Sequence, residues 1–173
     1  AQRNSTLQAF GRLLKLPRRD QSRKLTLYLV GHQMPGPVHE AYTDEVRALA
    51  AEVGNVEILS NLGGAQLKAL MKTISVVWSF TGGVGPNENP ADAEHFGIAV
   101  VEAMSAGAIP VLVDRGGLRE IVNESPDHLC SSLDEFAVKT LCFFELGMAE
   151  QREQRRRARA LAERFTEDQF NRR

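Results

Sequence analysis

Residues 74–113 read "ISVVWSF" (74–80), "TGGVGPNENPADAEHF" (81–96), "GIAVVEAMSAG" (97–107) and "AIPVLV" (108–113). The first and last pieces are short apolar runs without polar alternation, the pattern of strands buried on both faces. Between them, a glycine opens and a glycine closes a run with helical spacing, which predicts a helix over 97–107. Strand, helix, strand in that order is a βαβ unit, and its right-handed crossover places the two strands parallel.

The same grammar extends outward. Upstream, Leu7, Phe10, Leu13 and Leu14 recur at helical spacing until Pro17 and "RRDQSRK" end the segment. "KLTLYLVG" is a strand, and Val46, Leu49, Ala50 and Val53 share one face of a helix running from about Val38 to Val53. "VEIL" is the next strand and "AQLKALMK" the next helix. Downstream, "GGLREIVN" is a turn and short helix, and "HLCSS" a last small strand. Two helices follow, roughly Leu133 to Leu146, with Phe136, Leu141 and Phe144 apolar, and Ala149 to Phe165. This alternation predicts an α/β fold: a Rossmann-like, open parallel sheet with helices on both faces.

With 173 residues, 43% hydrophobic and 25% charged, the chain is expected to form one domain spanning 1–173. A net charge of -1 gives no field that would favour nucleic acid. No apolar run approaches the ~20 residues that span a bilayer, and the first residues do not read as a signal peptide. The two cysteines, Cys130 and Cys142, have no CxxC or Cys/His grouping, so a soluble segment in a reducing, cytoplasmic setting is expected. The chain enters a helix almost at once and stops in mid-pattern at "FTEDQFNRR". A piece of a longer protein is the expectation.

The stretch 81–96 is the longest irregular one. Loops beyond about 12 residues in a compact domain are usually functional or disordered. Ligands of open α/β sheets bind at the carboxyl ends of strands, where this loop lies. Gly82, Gly83 and Gly85 complete neither GxGxxG nor a P-loop and read as turn glycines. Glu94 and Glu102 are more informative. In one continuous helix they would stand about 80° apart in azimuth and roughly 12 Å apart along the axis, sharing no face. If a helix begins near Gly97, Glu94 lies in the loop before it and Glu102 in its second turn. The unpaired amides at that start, with the helix dipole, favour a phosphate or diphosphate. Glu102 is equally readable as part of a solvated face. Gly116 and Gly117, between a strand and a short helix, are either a second pair of amides aimed at the same crevice or a plain turn. Convergence of both on one cleft, beside two carboxylates, would suit a nucleotide sugar.

"EHFGIAVVEAMSAGAIPVLVDRGGLREIV" (94–122) resembles the signature of the retaining glycosyltransferases of family 4, with Glu94 and Glu102 matching its E-x7-E element. "NSTLQAFGRLL", "LYLVG", "VEILSNL" and "LKALMKTISVVWSF" follow the family's upstream order, so the resemblance covers nearly the whole chain. It implies the C-terminal, donor-binding half of a GT-B fold. It also implies that Glu102 accepts hydrogen bonds from the donor ribose, that Glu94 contacts the transferred sugar, and that the backbone of Phe96, Gly97 and Ile98 meets the sugar and diphosphate. Arg3 falls where the family has a phosphate-binding Lys.

The family's first strand, a partner arginine and the acceptor-binding N-terminal domain are expected to lie upstream of Ala1. The loop before Glu94 is longer than in many members. "EHFGI-VVE" is similar to mannosyltransferases that extend lipid-linked oligosaccharides at the endoplasmic reticulum and to bacterial mannosyltransferases. The resemblance therefore implies glycan biosynthesis with a GDP- or UDP-linked donor, mannose in the first instance, and no cofactor. The acceptor would be a glycan or lipid-linked glycan, reached at the cytoplasmic face of a membrane through peripheral contact. The isolated segment is expected to be inactive.

Other readings are a non-catalytic nucleotide-sugar-binding module and a structural Rossmann-like domain. Asp92 and Glu94 form a DxE like the metal motif of the other glycosyltransferase fold, but that fold lacks this element order, so no metal is expected. His32, His39, His95 and His128 have no ligand spacing. The run "RRRAR" reads as a solvated helix face, with an anionic surface as the alternative.

Overall fold

The computed structural model describes residues 4–84 and 94–165. Arg3 and, in the long loop, Gly85 and Asp92 lie outside them. Among the described residues, seven helices and five strands follow in the order α1 (Ser5–Lys15), β1 (Leu27–Gly31), α2 (Pro37–Val53), β2 (Val56–Ser60), α3 (Gly64–Met71), β3 (Val76–Ser79), α4 (Ile98–Ala106), β4 (Ile109–Val113), α5 (Leu118–Ile121), β5 (Leu129–Cys130), α6 (Leu133–Glu145) and α7 (Met148–Glu163). Every strand pair is parallel, and helices flank the strands. The fold is a Rossmann-like α/β arrangement.

The strands form two sets, where the sequence predicts one open sheet. β1 pairs with β2, Leu27 opposite Val56 through Gly31 opposite Ser60. β3 pairs with β4, and β4 with β5, in the order β3-β4-β5. No ladder joins β1 to β3. Burial follows this division. All residues of β4, the middle strand of the larger set, are buried, whereas Tyr28 and Val30 of β1 are exposed.

The core centres on β3 and β4. Trp78 of β3 meets Phe10 of α1, Phe80 and Phe136 of α6 edge-on, with ring centroids at 6.4, 5.8 and 5.8 Å. Such aromatic contacts add to the area they bury. Its indole N–H donates to Thr140 Oγ1 at 2.8 Å, which satisfies a donor that burial would otherwise penalise. The buried face of α6 is Phe136, Ala137, Thr140 and Phe143. Of the apolar residues the sequence offered, Phe136 is buried and Leu141 and Phe144 pack half-buried against the core, while Thr140 turns inward to serve Trp78.

Helix α1 packs on α6 and α2, and α4 packs on α7 and α3. The last turn of α4 is closed by Gly107, and the Arg159 guanidinium of α7 donates to Ala106 O at 3.1 Å. A cation at the negative end of the dipole fixes the axis of α4 from behind. Its opposite end is thereby aimed at the carboxyl edge of β3 and β4.

Candidate active site

The site is built from three segments at that edge: the residues after β3, the stretch 94–97 leading into α4, and 114–117 after β4. Gly97 is the N-cap of α4 with φ +81, a left-handed conformation that costs an L side chain roughly 1–2 kcal/mol. A side chain would also crowd its neighbours, since a Cβ here would lie 2.9 Å from Leu118 Cδ2 and 3.1 Å from Ile121 Cδ1. The Gly97 carbonyl accepts from Val100 and Val101, and the cap has no side-chain oxygen to offer. Among the described residues, the N–H groups of Ile98 and Ala99 meet no acceptor. Two unpaired amides at the positive end of a helix attract an oxyanion. Both residues are exposed, Ile98 at 65%, so a ligand can reach them.

The second glycine element closes on the first. Gly117 N–H donates to Glu94 O at 2.8 Å, and a Cβ on Gly117 would sit 2.1 Å from His95 O. The two segments therefore touch backbone to backbone, and only glycine fits. The Gly117 amide is engaged within the chain, in keeping with the plain-turn reading of Gly117 rather than the crevice-facing one. Gly116, at φ 53, remains exposed. Phe96 holds the loop from below, packing against the main core and lying edge-on to Phe165 with centroids at 5.3 Å.

Glu94 is half-buried, and its Oε1 receives a long contact of 3.4 Å from Phe96 N–H. Glu102 is exposed on the second turn of α4, four residues after Ile98. Loop and helix thus present the two carboxylates from different elements. Arg115 was not singled out from sequence. Its Nη1 donates to Gly82 O at 3.2 Å and ties the loop after β3 to the turn after β4. The signal available was a cation two residues beyond the carboxyl end of a fully apolar strand. At the neighbouring edge, Asn61 at the end of β2 donates its N–H to Gly31 O, while its Oδ1 accepts from Gln33 N–H.

Among the described residues, no group of three or more His, Cys, Asp or Glu could hold a metal ion, and no helix is long and apolar enough to cross a membrane.

In a parallel α/β fold the carboxyl edge of the strands, where the N-terminus of α4 lies, is where ligands bind. Residues 4–131 match the family described as Glycosyl transferases group 1, and the chain belongs to it. It is similar to the GDP-Man:Man(3)GlcNAc(2)-PP-Dol alpha-1,2-mannosyltransferase of Dictyostelium discoideum, 32% identical over 88% of this chain and 29% of that protein. The proteins of the same name from Xenopus laevis and Mus musculus are each 28% identical, over 95% and 98% of this chain and 33% and 34% of their own lengths. The chain spans about a third of the length of these relatives. Family membership makes it a glycosyltransferase sequence.

Proposed function

We propose that this chain is the donor-binding, C-terminal half of a GT-B enzyme of family 4, which transfers mannose with retention from GDP-mannose to a hydroxyl of a lipid-linked glycan. The observation that carries the reading is the pair of open amides of Ile98 and Ala99 behind the Gly97 cap, flanked by Glu94 and Glu102. The names of the similar proteins support mannose, the GDP donor and a dolichol-linked acceptor.

Departure of a nucleoside diphosphate leaves an oxocarbenium-like sugar and concentrates negative charge on the diphosphate. Fixed amide donors and a helix dipole stabilise that charge with little reorganisation. In this reading Ile98 and Ala99 N–H meet the diphosphate, with Gly116 beside them and Arg3 supplying a cation. Glu102, ionised and acceptor-only, holds the two ribose hydroxyls. Glu94 contacts the hydroxyls of the leaving sugar, and the backbone near Leu59 to Leu62 meets the base. No metal takes part, so EDTA leaves the rate within about twofold. The complete enzyme works at the cytoplasmic face of a membrane, in peripheral contact with it, and the isolated chain is inactive because a GT-B site lies between two domains.

The test is transfer from labelled GDP-mannose to a lipid-linked mannosyl acceptor. The complete protein should turn over and the 173-residue chain should stay at background. Background counts from the complete protein with GDP- and UDP-linked donors alike would refute the reading, as would robust transfer by the isolated chain.

A further inference from the structure

The net charge of -1 conceals a strong segregation: residues 15–24 and 152–164 hold 11 of the 21 Lys and Arg residues against three carboxylates. The two segments meet at the amino edge of the strands, away from Glu94 and Glu102. Arg155 of α7 donates to Ser75 Oγ, just before β3, at 2.9 Å, and Arg23, in the segment entering β1, lies 4.8 Å over the ring of Phe144.

The carboxylates nearby are already engaged. Glu145 takes the Arg19 amide at 3.0 Å and its guanidinium at 3.2 Å, and Asp20 takes the Ser22 amide and hydroxyl at 2.9 and 2.6 Å. Glu153 holds Arg156 and Arg157 at 2.8 and 2.9 Å. Arg18, Arg23 and Arg155 form no ion pair among the described residues. Burial, then the charges of Arg159 and Arg23, push the pKa of Arg155 below its ordinary value. Like charges gathered in this way repel, and an anion between them relieves the repulsion.

Two further observations give that anion a place. A cleft of about 550 Å³ opens between the loop 18–25 and the turn from α6 to α7, lined by Arg18 and Arg23 with Phe144, Leu146 and Met148. Arg18 Nη1 donates to Arg23 O at 2.9 Å, whereas its Nε is closed off from solvent and meets no acceptor among the described residues. A donor orphaned in this way is costly, and an ion that it meets when bound accounts for it. Arg18 itself lines the cleft, so rotation about its own side-chain bonds brings Nε–H to an oxygen held there.

We propose that this cleft is a second anion site, which binds a phosphate monoester through the guanidinium groups of Arg18 and Arg23 and receives its organic part on Phe144, Leu146 and Met148. A guanidinium fork directs two parallel N–H groups at two oxygens of one phosphate, and a monoester offers three such oxygens and nearly two negative charges at neutral pH. One phosphate therefore serves both arginines, with Arg155 adding field from the neighbouring helix. A soluble phosphate ester and the headgroup of a membrane lipid such as phosphatidic acid present this same chemistry. Met148, exposed at the rim, suits either. The site stands at the amino edge, so the inference holds whichever nucleotide or sugar the carboxyl edge takes.

Two titrations of the full-length protein at constant ionic strength test it: calorimetry with butyl phosphate, and sedimentation with vesicles of phosphatidylcholine alone or of equimolar phosphatidylcholine and phosphatidic acid. Binding of butyl phosphate makes a soluble ester the source, and binding of the acidic vesicles alone makes it a lipid headgroup; both support the site. Arg18→Gln and Arg23→Gln should each weaken that binding by about tenfold or more, and Arg156→Gln, which faces Glu153, by less than about twofold. Arg18 also holds the loop, so Arg23→Gln, at an exposed side chain, decides alone if the first variant does not fold. Failure of both probes to bind overturns the proposal. Equal losses in Arg23→Gln and Arg156→Gln would reduce the effect to diffuse surface charge, and no loss in Arg23→Gln would move the ligand elsewhere; either result overturns it as well.

Discussion

Gly117 and His95 meet backbone to backbone: a methyl group on Gly117 would stand 2.1 Å from the His95 carbonyl oxygen and 2.7 Å from its carbon. Gly117 has φ -64, a conformation open to any residue. Space alone demands glycine here. The contact joins the turn after β4 to the loop that enters α4, so the position of Glu94 depends on the smallness of a residue 23 positions away in sequence.

Replacing Gly117 by Ala should push the two segments apart and break the bond from its N–H to Glu94 O. Overpacking of this kind costs about 1–3 kcal/mol. Urea denaturation of the variant should show that loss, and nucleoside diphosphate affinity should fall with it. Unchanged stability and affinity would mean that the segments do not touch.

Gly97→Ala combines the left-handed penalty with a clash on Leu118 and Ile121. The clash involves side-chain ends that can be trimmed. In a double-mutant cycle, Gly97→Ala and Leu118→Ala should cost less together than the sum of their separate losses, by about 0.5–3 kcal/mol. Strict additivity would assign the whole effect of Gly97→Ala to its backbone angle.

Thr140, only 2% exposed, accepts the indole N–H of Trp78. Thr140→Val keeps the volume and strands the donor, so it should cost about 1–3 kcal/mol, while Thr140→Ser keeps the acceptor and should cost less. Trp78 is the only tryptophan in the sequence, so its fluorescence reports the site directly. Equal stability of the Val and Ser variants would show that the bond contributes nothing.

His128 immediately precedes β5, its Nδ1 2.9 Å from Pro110 O of β4. Burial pushes its pKa below the usual 6.5, against the opposing pull of the Pro110 carbonyl and of Asp127, with Lys139 adding to the depression. Below about pH 6.5 the unfolded chain takes up a proton that the folded chain refuses, so stability should fall as pH drops through that window. His128→Gln should flatten this part of the pH–stability curve. An identical slope in the variant would place the titration elsewhere.

Much of this fold is legible in the sequence, because period and punctuation carry it. Gly97 and Gly107 bracket α4, Pro17 follows α1, and β4 is an unbroken apolar run whose burial on both faces could be read directly. The buried face of α6 is less legible, because apolar spacing favours Leu141 and Phe144, which pack half-buried against the core. The inward turn of Thr140 depends on a partner 62 residues away. The division of the strands was invisible for a related reason: each strand looks complete locally, and only pairing reveals an empty edge. Around the candidate site, the sequence drew attention to Glu94, Gly97 and Glu102 through their spacing. It could not show that Gly117 gives its amide to Glu94, or that Arg115 reaches Gly82, since both relationships exist only after the loops meet.

The most direct test of the central claim is calorimetric titration of the complete enzyme with plain nucleoside diphosphate, comparing Glu102→Gln with Glu94→Gln and with the unmodified protein. Losing a charge-assisted acceptor on the ribose, worth about 1.5–3 kcal/mol, should weaken binding of the Glu102→Gln variant by about 10- to 150-fold. Glu94→Gln should bind nucleoside diphosphate nearly as the unmodified protein does and show a lower kcat, because its contacts form with the departing sugar. Equal loss of nucleotide affinity in both variants, or no loss in Glu102→Gln, would contradict the assignment of the α4 edge as a nucleotide-sugar site with divided carboxylate roles.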